Sequence, residues 1–411
     1  MTTAIDAEYL LCSDLPMIVD RAGKGWLDPL WIKDLIRHRV YLSHLTIACP
    51  HFREEPAAGM MCADDVPELA GTHFVLLPGS RSFKQALRNL PRTIALLRGA
   101  VRQAKIVHVT MAGWPIPLGW IATPLARWRR KKLVAVVESA FWRIAPSEKP
   151  SWKRRLRARL TERINRWCVR NCNLAIFTQE AYRRQMLPQR EAATRRVSLP
   201  RSAVIPASWI DAENILSIAE AAQIAANRKT HSSLRVLFAA RLIPEKGVAV
   251  LLAAARQLAE QGVVAEIDMI GEGPERERCR LAAAEMTGGV RLHLLNPVPY
   301  GEPFFHLLRG YDAIVIPNLS DEQPRIVFDA FSQGLPVVGS DTDGLRECVR
   351  HGETGWLFPP GDSDALAALL RKAADERDFL ETMGRTALEQ ARSLTHEEMH
   401  RRRWELLTAV G

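Results

Sequence analysis

The 411-residue sequence lacks any spacing by which its seven cysteines would pair: Cys12, Cys49, Cys62, Cys168, Cys172, Cys279 and Cys348 are scattered along the chain. A disulfide scaffold is thereby excluded, and a reducing compartment fits. Cys168 and Cys172 lie four apart, on one face of a helix, but no second Cys/His pair accompanies them. Two half-buried thiols therefore take precedence over a zinc site. No basic segment followed by an apolar core opens the chain, so no secretory signal is expected. The uncharged run from Val109 to Ala126 is broken by Pro115, Pro117 and Pro124. That excludes a spanning helix and suits a strand end, a loop and a helix start. A cytoplasmic protein, peripheral at most on the inner face of the plasma membrane, is expected.

Acidic residues are also scarce in one segment. Between Arg127 and Arg170 fifteen Lys/Arg stand against three Glu, a local charge of +12 within a net charge of +10, so the remainder carries about −2. The basic character belongs to one place.

What is present is a soluble-type composition, 47% hydrophobic and 25% charged, at a length that suits two domains. Short β-branched runs alternate with helical segments. The first half offers "PMIVD", "LSHLTIACP", "THFVLLP", "IVHVT", "LVAVVES" and "LAIFT"; the second offers "RVLFAAR", "AEIDMIG", "VRLHLLN", "AIVIP", "PVVGS" and "GWLFP". This pattern predicts an α/β fold of two doubly wound, Rossmann-like domains facing each other across a cleft. The domains are expected over 1–205 and 206–393, joined through a Pro/Ser/Asn-rich linker near 200–233, with a terminal helix over about 394–411 returning to the first.

Ligands of such sheets bind beyond the carboxyl ends of the strands. Three features converge there in the second half. "RVLFAARLIPEKG" places Arg241, Lys246 and Gly247 after a strand, as a diphosphate site or as plain surface cations. "MIGEGPERE" places Gly271 and Gly273 in a strand-to-helix turn. "DEQPRIVFDAFSQGLPVV" places Asp321 and Glu322 on a loop and Asp329 on a helix expected to begin near Pro324. Backbone amides at that helix start suit phosphate oxygens, and a carboxylate further on suits vicinal hydroxyls.

Together these residues resemble the nucleotide-sugar domain of the family-4 retaining glycosyltransferases of the GT-B fold. "AARLIPEKGV" is similar to that family's G-R-L-x-x-x-K-G, "IGEGPERE" to its G-x-G-P, and the run from Asp321 to Asp362 to its paired-carboxylate motif and the segment following it. The resemblance implies that Arg241 and Lys246 hold the donor diphosphate and that Asp329 meets the ribose. It implies that Asp321, with Glu322 beside it, meets the transferred sugar. Pro324, Arg325, Ile326 and Val327 would run along the diphosphate. It further implies a UDP- or GDP-sugar donor, a glycan or lipid-linked acceptor, and no cofactor or metal. Both motif carboxylates here are aspartate, one methylene shorter than the family's glutamates, and Ala240 replaces the glycine before Arg241. "DTD" (341–343) falls in the family's post-strand loop rather than reading as a metal pair. A nucleotide-sugar epimerase, a catalytically altered partner protein and a nucleic-acid binder are the weaker alternatives.

In the first half, Gly23 and Gly25 precede Asp28-Pro29, a helix cap followed by a first-turn proline. They form either a donor-facing loop or a structural turn. His108 and Glu138 lie near strand ends where the family often has histidines. They are candidate acceptor or transition-state contacts, His108 equally a satisfied core histidine. Finally, Trp152, Leu156, Leu160, Ile164 and Trp167 make one apolar stripe among arginines. This is a basic amphipathic helix, either core-packed or docked on anionic lipid with 127–132 in support.

Overall fold

The computed structural model describes residues 4–113, 115–144, 148, 150–187 and 199–409. The chain divides into two compact units. The first comprises residues 1–144, 150–206 and 399–411, the second 145–149 and 207–398.

The first unit runs β1 (Ile5–Cys12), β2 (Met17–Val19), β3 (Gly25–Leu27), α1 (Pro29–Tyr41), β4 (Leu42–Arg53), β5 (Met61–Cys62), β6 (His73–Pro78) and α2 (Phe83–Gln103). It continues with β7 (Ile106–Thr110), α3 (Leu118–Trp128), β8 (Lys132–Val137), α4 (Trp152–Arg170), β9 (Leu174–Phe177), α5 (Glu180–Met186) and β10 (Arg201–Val204). The sheet order is β10-β9-β8-β7-β1-β4-β2-β3-β5, with β6 also on β4. The chain fills one side of β1 first and then crosses to β7 on the other, so the order reverses at β1/β7. Buried faces are apolar on both sides, as a parallel sheet requires. Leu10, Val107, Ala135 and Phe177 face α2 to α5, and Leu11, Ile106, Val136 and Ile176 face the opposite layer. The expected cap is present: the Asp28 carboxylate accepts from the Leu30 amide at 2.9 Å, with Pro29 opening α1.

Two sequence expectations shift. The first strand is β1, whose polar alternation (Asp6, Glu8) hides its apolar half, and the "PMIVD" run supplies the short β2 after it. The supposed linker contains β10 and α6 (Ile218–Arg228), because Ser217 and Glu220 close a capping box that starts the helix.

The second unit continues from α6 with β11 (Leu234–Ala239), α7 (Val248–Glu260), β12 (Ala265–Ile270), α8 (Arg276–Glu285), β13 (Val290–Leu295), α9 (Glu302–Leu308) and β14 (Ala313–Ile316). It ends with α10 (Ile326–Ser332), β15 (Val337–Ser340), α11 (Asp343–Arg346), β16 (Gly355–Phe358), α12 (Ser363–Asp375) and α13 (Arg377–Ala391). Its six parallel strands take the order β13-β12-β11-β14-β15-β16. The reversal falls between β11 and β14. The last helix, α14 (His396–Thr408), belongs from Met399 onward to the first unit, where Met399 and Leu407 are buried. Among the described residues, no helix is long and apolar enough to cross a membrane.

Candidate active site

The candidate site of the second unit occupies the rim where its strand order reverses. Arg241 stands exposed just beyond β11. Lys246 and Gly247 follow in a single 3-10 turn whose last amide, Gly247 N, donates to Pro244 O at 3.0 Å. Gly247 has φ +73°, and a Cβ there would lie 1.8 Å from the Pro317 carbonyl oxygen at the end of β14. A side chain would therefore collide with the neighbouring loop. Gly271 and Gly273 act alike: their Cβ atoms would meet Ala240 O at 1.8 Å and Leu242 O at 2.4 Å. On the far side, a Cβ at Gly344 would meet Glu322 O at 2.3 Å. Four glycines thus let the loops after β11, β12, β14 and β15 touch backbone to backbone. Bonds between these loops complete the joint: Leu242 N to Glu272 O at 2.8 Å, Leu319 N to Glu245 O at 2.8 Å, and Asp343 N to the Asp321 carboxylate at 3.4 Å.

Side chains follow from that frame. Lys246 Nζ reaches Glu322 Oε2 at 3.2 Å, so the β11 cation and the β14 acid share one spot. Asp329 lies in α10 with Val327, Phe328, Ala330 and Phe331 buried around it, and is itself only 6% exposed. The Tyr300 hydroxyl donates to its Oδ1 at 2.8 Å. Burial, and then the neighbouring carboxylate, push the Tyr300 hydroxyl far above its ordinary range, so it is always a donor here. Tyr300 was not foreseen from sequence: it sits in the polar stretch after β13, outside every motif. Arg325 lies 5.1 Å over the Trp209 ring.

The helix start falls two residues beyond Pro324. α10 begins at Ile326, after Pro324 and Arg325, because Val327 N and Phe328 N close onto Pro324 O (3.2 Å) and Arg325 O (2.9 Å). Those two amides are engaged within the turn rather than presented outward. Asp341 and Asp343 both pair with Arg346, at 2.7 and 3.0 Å, so that aspartate pair has a protein cation between it.

In the first unit the sequence candidates separate. Gly23 (φ +82°) turns the β2–β3 hairpin, and its amide donates to Asp20 O at 3.1 Å. The Gly25 amide donates to Asp64 at 3.1 Å. Both glycines lie towards one edge of the sheet, with β4 between their hairpin and β1. His108 is the middle residue of β7, not its end. It is 5% exposed, and its Nδ1 lies 2.9 Å from the Tyr9 hydroxyl. Burial, then nearby His38 and Arg403, hold its imidazole well below the usual range, so it is neutral. Glu138 follows β8, half exposed, with Oε1 3.5 Å from Arg403. A buried polar network continues beneath: His400 meets Asp34 at 3.0 Å and Tyr41 at 3.1 Å.

The residue at the β1/β7 reversal is Asp14. Its carboxylate accepts from the Thr110 hydroxyl at 2.7 Å and from the Leu118 amide at 3.2 Å, where α3 begins. Burial pushes this carboxyl up to about 7, against the lowering effect of both bonds. It faces a cavity of about 210 Å³ shared with Phe52, Leu77 and Leu90. Only its neighbour Pro16 was singled out in the sequence; a lone Asp after an unrecognised strand carries no signal.

Two sheets of this order are the architecture of the GT-B fold. Residues 220–390, less than half of the chain, match the family described as glycosyl transferases group 1. The amylovoran biosynthesis glycosyltransferase AmsK of Erwinia amylovora is 35% identical over 159 residues, covering 36% of this chain and 38% of that protein. The colanic acid biosynthesis glycosyltransferase WcaL of Salmonella typhimurium, a putative assignment, is 29% identical over 188 residues, covering 43% and 45%. The match thus spans less than half the length of either relative. Anabaena HepE in complex with UDP shares the fold over 98% of this chain and 100% of that one, with TM-score 0.67 and 16% identity.

Proposed function

We propose that the protein is a retaining, metal-independent glycosyltransferase. It moves a sugar from a UDP- or GDP-sugar to a glycan or lipid-linked acceptor in envelope polysaccharide assembly. The observation that carries this reading is that Lys246 meets Glu322 at 3.2 Å at the strand-order reversal of the second unit, with Arg241 and Asp321 on loops joined by close-approach glycines and Asp329 on α10. HepE was solved with UDP, and AmsK and WcaL are named for polysaccharide synthesis, which supports the donor and the pathway class.

Arg241 and Lys246 neutralise the diphosphate as charge grows on it, and Asp329, oriented by Tyr300, accepts from the ribose hydroxyls. Asp321 accepts from the sugar. In the transfer, the bond from the anomeric carbon to the phosphate oxygen breaks while the bond to the acceptor oxygen forms on the same face. The acceptor proton passes to the departing phosphate, so no dedicated base is required. Asp14 and Glu138 are the acceptor-side candidates.

We further propose that the segment 127–170 docks on an anionic membrane surface. On α4 the buried residues are Ala158, Asn165, Cys168 and Val169, whereas Trp152, Leu156, Leu160 and Trp167 are exposed, Trp152 at 69%. Of the apolar stripe, Ile164 alone packs inward. An exposed aromatic stripe among arginines suits an interfacial helix.

The test is product formation with a UDP- and GDP-sugar panel and a lipid-linked acceptor. Lys246→Ala and Asp329→Ala should each abolish transfer without unfolding the chain. Near-wild-type turnover in either variant refutes the reading. Conversion of donor without acceptor would point to an epimerase instead.

A further inference from the structure

A second hollow lies wholly in the first unit, beside α4. Its volume is about 850 Å³, within the range of small-molecule sites, and Phe83, Phe141, Trp152, Leu156 and Leu160 form its open walls. Those five side chains are 47–69% exposed. The inner wall is built from Trp120 and Trp142, whose polar edges are already engaged. Trp120 Nε1 donates to Asn165 at 2.6 Å, and the fully buried Asn165 donates on to Met111 O at 3.3 Å. Trp142 Nε1 donates to Glu162 at 2.7 Å, and Glu162 is clasped by Arg143 and Arg166. The indoles thus present ring carbon to the hollow.

The surrounding charge has one sign. α4 carries eight Lys/Arg and one Glu, and Lys153, Arg154 and Arg157 line the hollow. Arg154 belongs to the frame, since it donates to Trp142 O at 2.6 Å and Arg143 O at 2.8 Å. Lys153 and Arg157 are the cations at its border. Carbon walls bordered by cations match an anionic amphiphile. Among the lining side chains, Lys153, Arg154, Arg157 and Thr161 carry the polar groups, all on α4, so the walls from the other elements offer apolar surface alone.

Met111 and Gly113 line the same hollow and directly follow β7. A Cβ at Gly113 would touch the Asp14 carboxylate at 2.4 Å. The hollow therefore runs from the exposed stripe of α4 to the strand-end rim where Asp14 sits.

We infer that this hollow holds one hydrocarbon chain of a phosphate-headed lipid, the acceptor's own anchor, with its phosphate against Lys153 and Arg157. The inference rests on the lipid-linked acceptor proposed above and adds the place where that lipid is gripped. It differs from docking on a bilayer, which requires only the outer stripe.

The experiment titrates the intact protein with dodecyl phosphate below its micellar concentration, following tryptophan fluorescence, with dodecyl maltoside and inorganic phosphate as comparisons. Vesicles with and without anionic lipid are floated in parallel. Saturable binding of one dodecyl phosphate, weaker by about tenfold for the maltoside and absent for phosphate, is expected. Thr161→Phe, which fills the hollow, and the pair Lys153→Glu with Arg157→Glu should each weaken it by about tenfold. Thr161→Phe should leave vesicle flotation unchanged, and circular dichroism checks that each variant is folded. If vesicles bind but the monomeric phosphate does not, or if Thr161→Phe leaves its affinity intact, the inference is overturned while membrane docking stands. If the phosphate binds and vesicles do not, the inference holds and docking falls.

Discussion

Gly247→Ala tests whether the rim of the second unit is held by backbone contact, and Gly262→Ala is its matched control. Both glycines are left-handed, at φ +73° and +72°, but a Cβ at Gly262 meets nothing within 4 Å. The control therefore carries only the backbone strain of a non-glycine residue, about 1 kcal/mol. At Gly247 the added carbon would lie 1.8 Å from a backbone oxygen, and contacts under 3.0 Å essentially never occur. The β11 and β14 loops must separate by about 1.2 Å, the gap between those two distances. Such overpacking adds on the order of 1–3 kcal/mol, for a total of about 2–4 kcal/mol. Urea unfolding, with hydrogen exchange to assign the transition to the second unit, measures the difference. Because Lys246 moves with the loop, affinity for a nucleoside diphosphate should fall in Gly247→Ala and hold in Gly262→Ala. Equal stability and equal affinity of the two variants would refute the close-contact account of the rim.

Lys246→Ala should weaken nucleoside diphosphate binding about 10- to 150-fold, the worth of one charge-assisted bond, by calorimetry. Glu322→Gln removes the acid that occupies the same lysine at 3.2 Å and should tighten binding. Tyr300→Phe should raise the Kd for a nucleoside diphosphate about 3- to 10-fold, since it releases Asp329, yet leave inorganic diphosphate unaffected. For Asp14, the native carboxyl titrates at about 7 and an unfolded one near 3.8. The native state therefore holds the proton more tightly, its contribution to stability is present at low pH, and it is lost as pH rises through 7. Asp14→Asn should accordingly melt higher than wild type at pH 8, with the gap closing below pH 4.

The second sheet was legible because its strands are short β-branched runs between long helices, and every one falls within a residue or two of its expected place. Of the glycines, Gly247 was marked for close backbone approach and Gly271 and Gly273 only for a strand-to-helix turn; each has a backbone oxygen where a Cβ would go. Legibility failed where the deciding contact is distant in sequence. Tyr300 reaches Asp329 across 29 residues, and Asp14 meets Thr110 across 96. β1 was missed because its first half alternates with acids, and that displaced Gly23 and Gly25 from the strand end to a hairpin. His108 looked terminal in "IVHVT", but the register sets it opposite Leu11, inside the sheet. For α4 the sequence left a core-packed and an exposed stripe open; the stripe is exposed at four of its five positions, and the core is made by Ala158, Cys168 and Val169.

On the proposed transferase reading, the glycine joints bear on how the donor preference can change. With carbonyls seated where side chains would be, none of the four glycines can take a side chain without prising two connections apart. The segment between Leu295 and Glu302, which delivers Tyr300, has no such neighbour to Gly301. New sugar or base preferences on that reading should arise by exchange of side chains on these connections and by remodelling of the outlying loop.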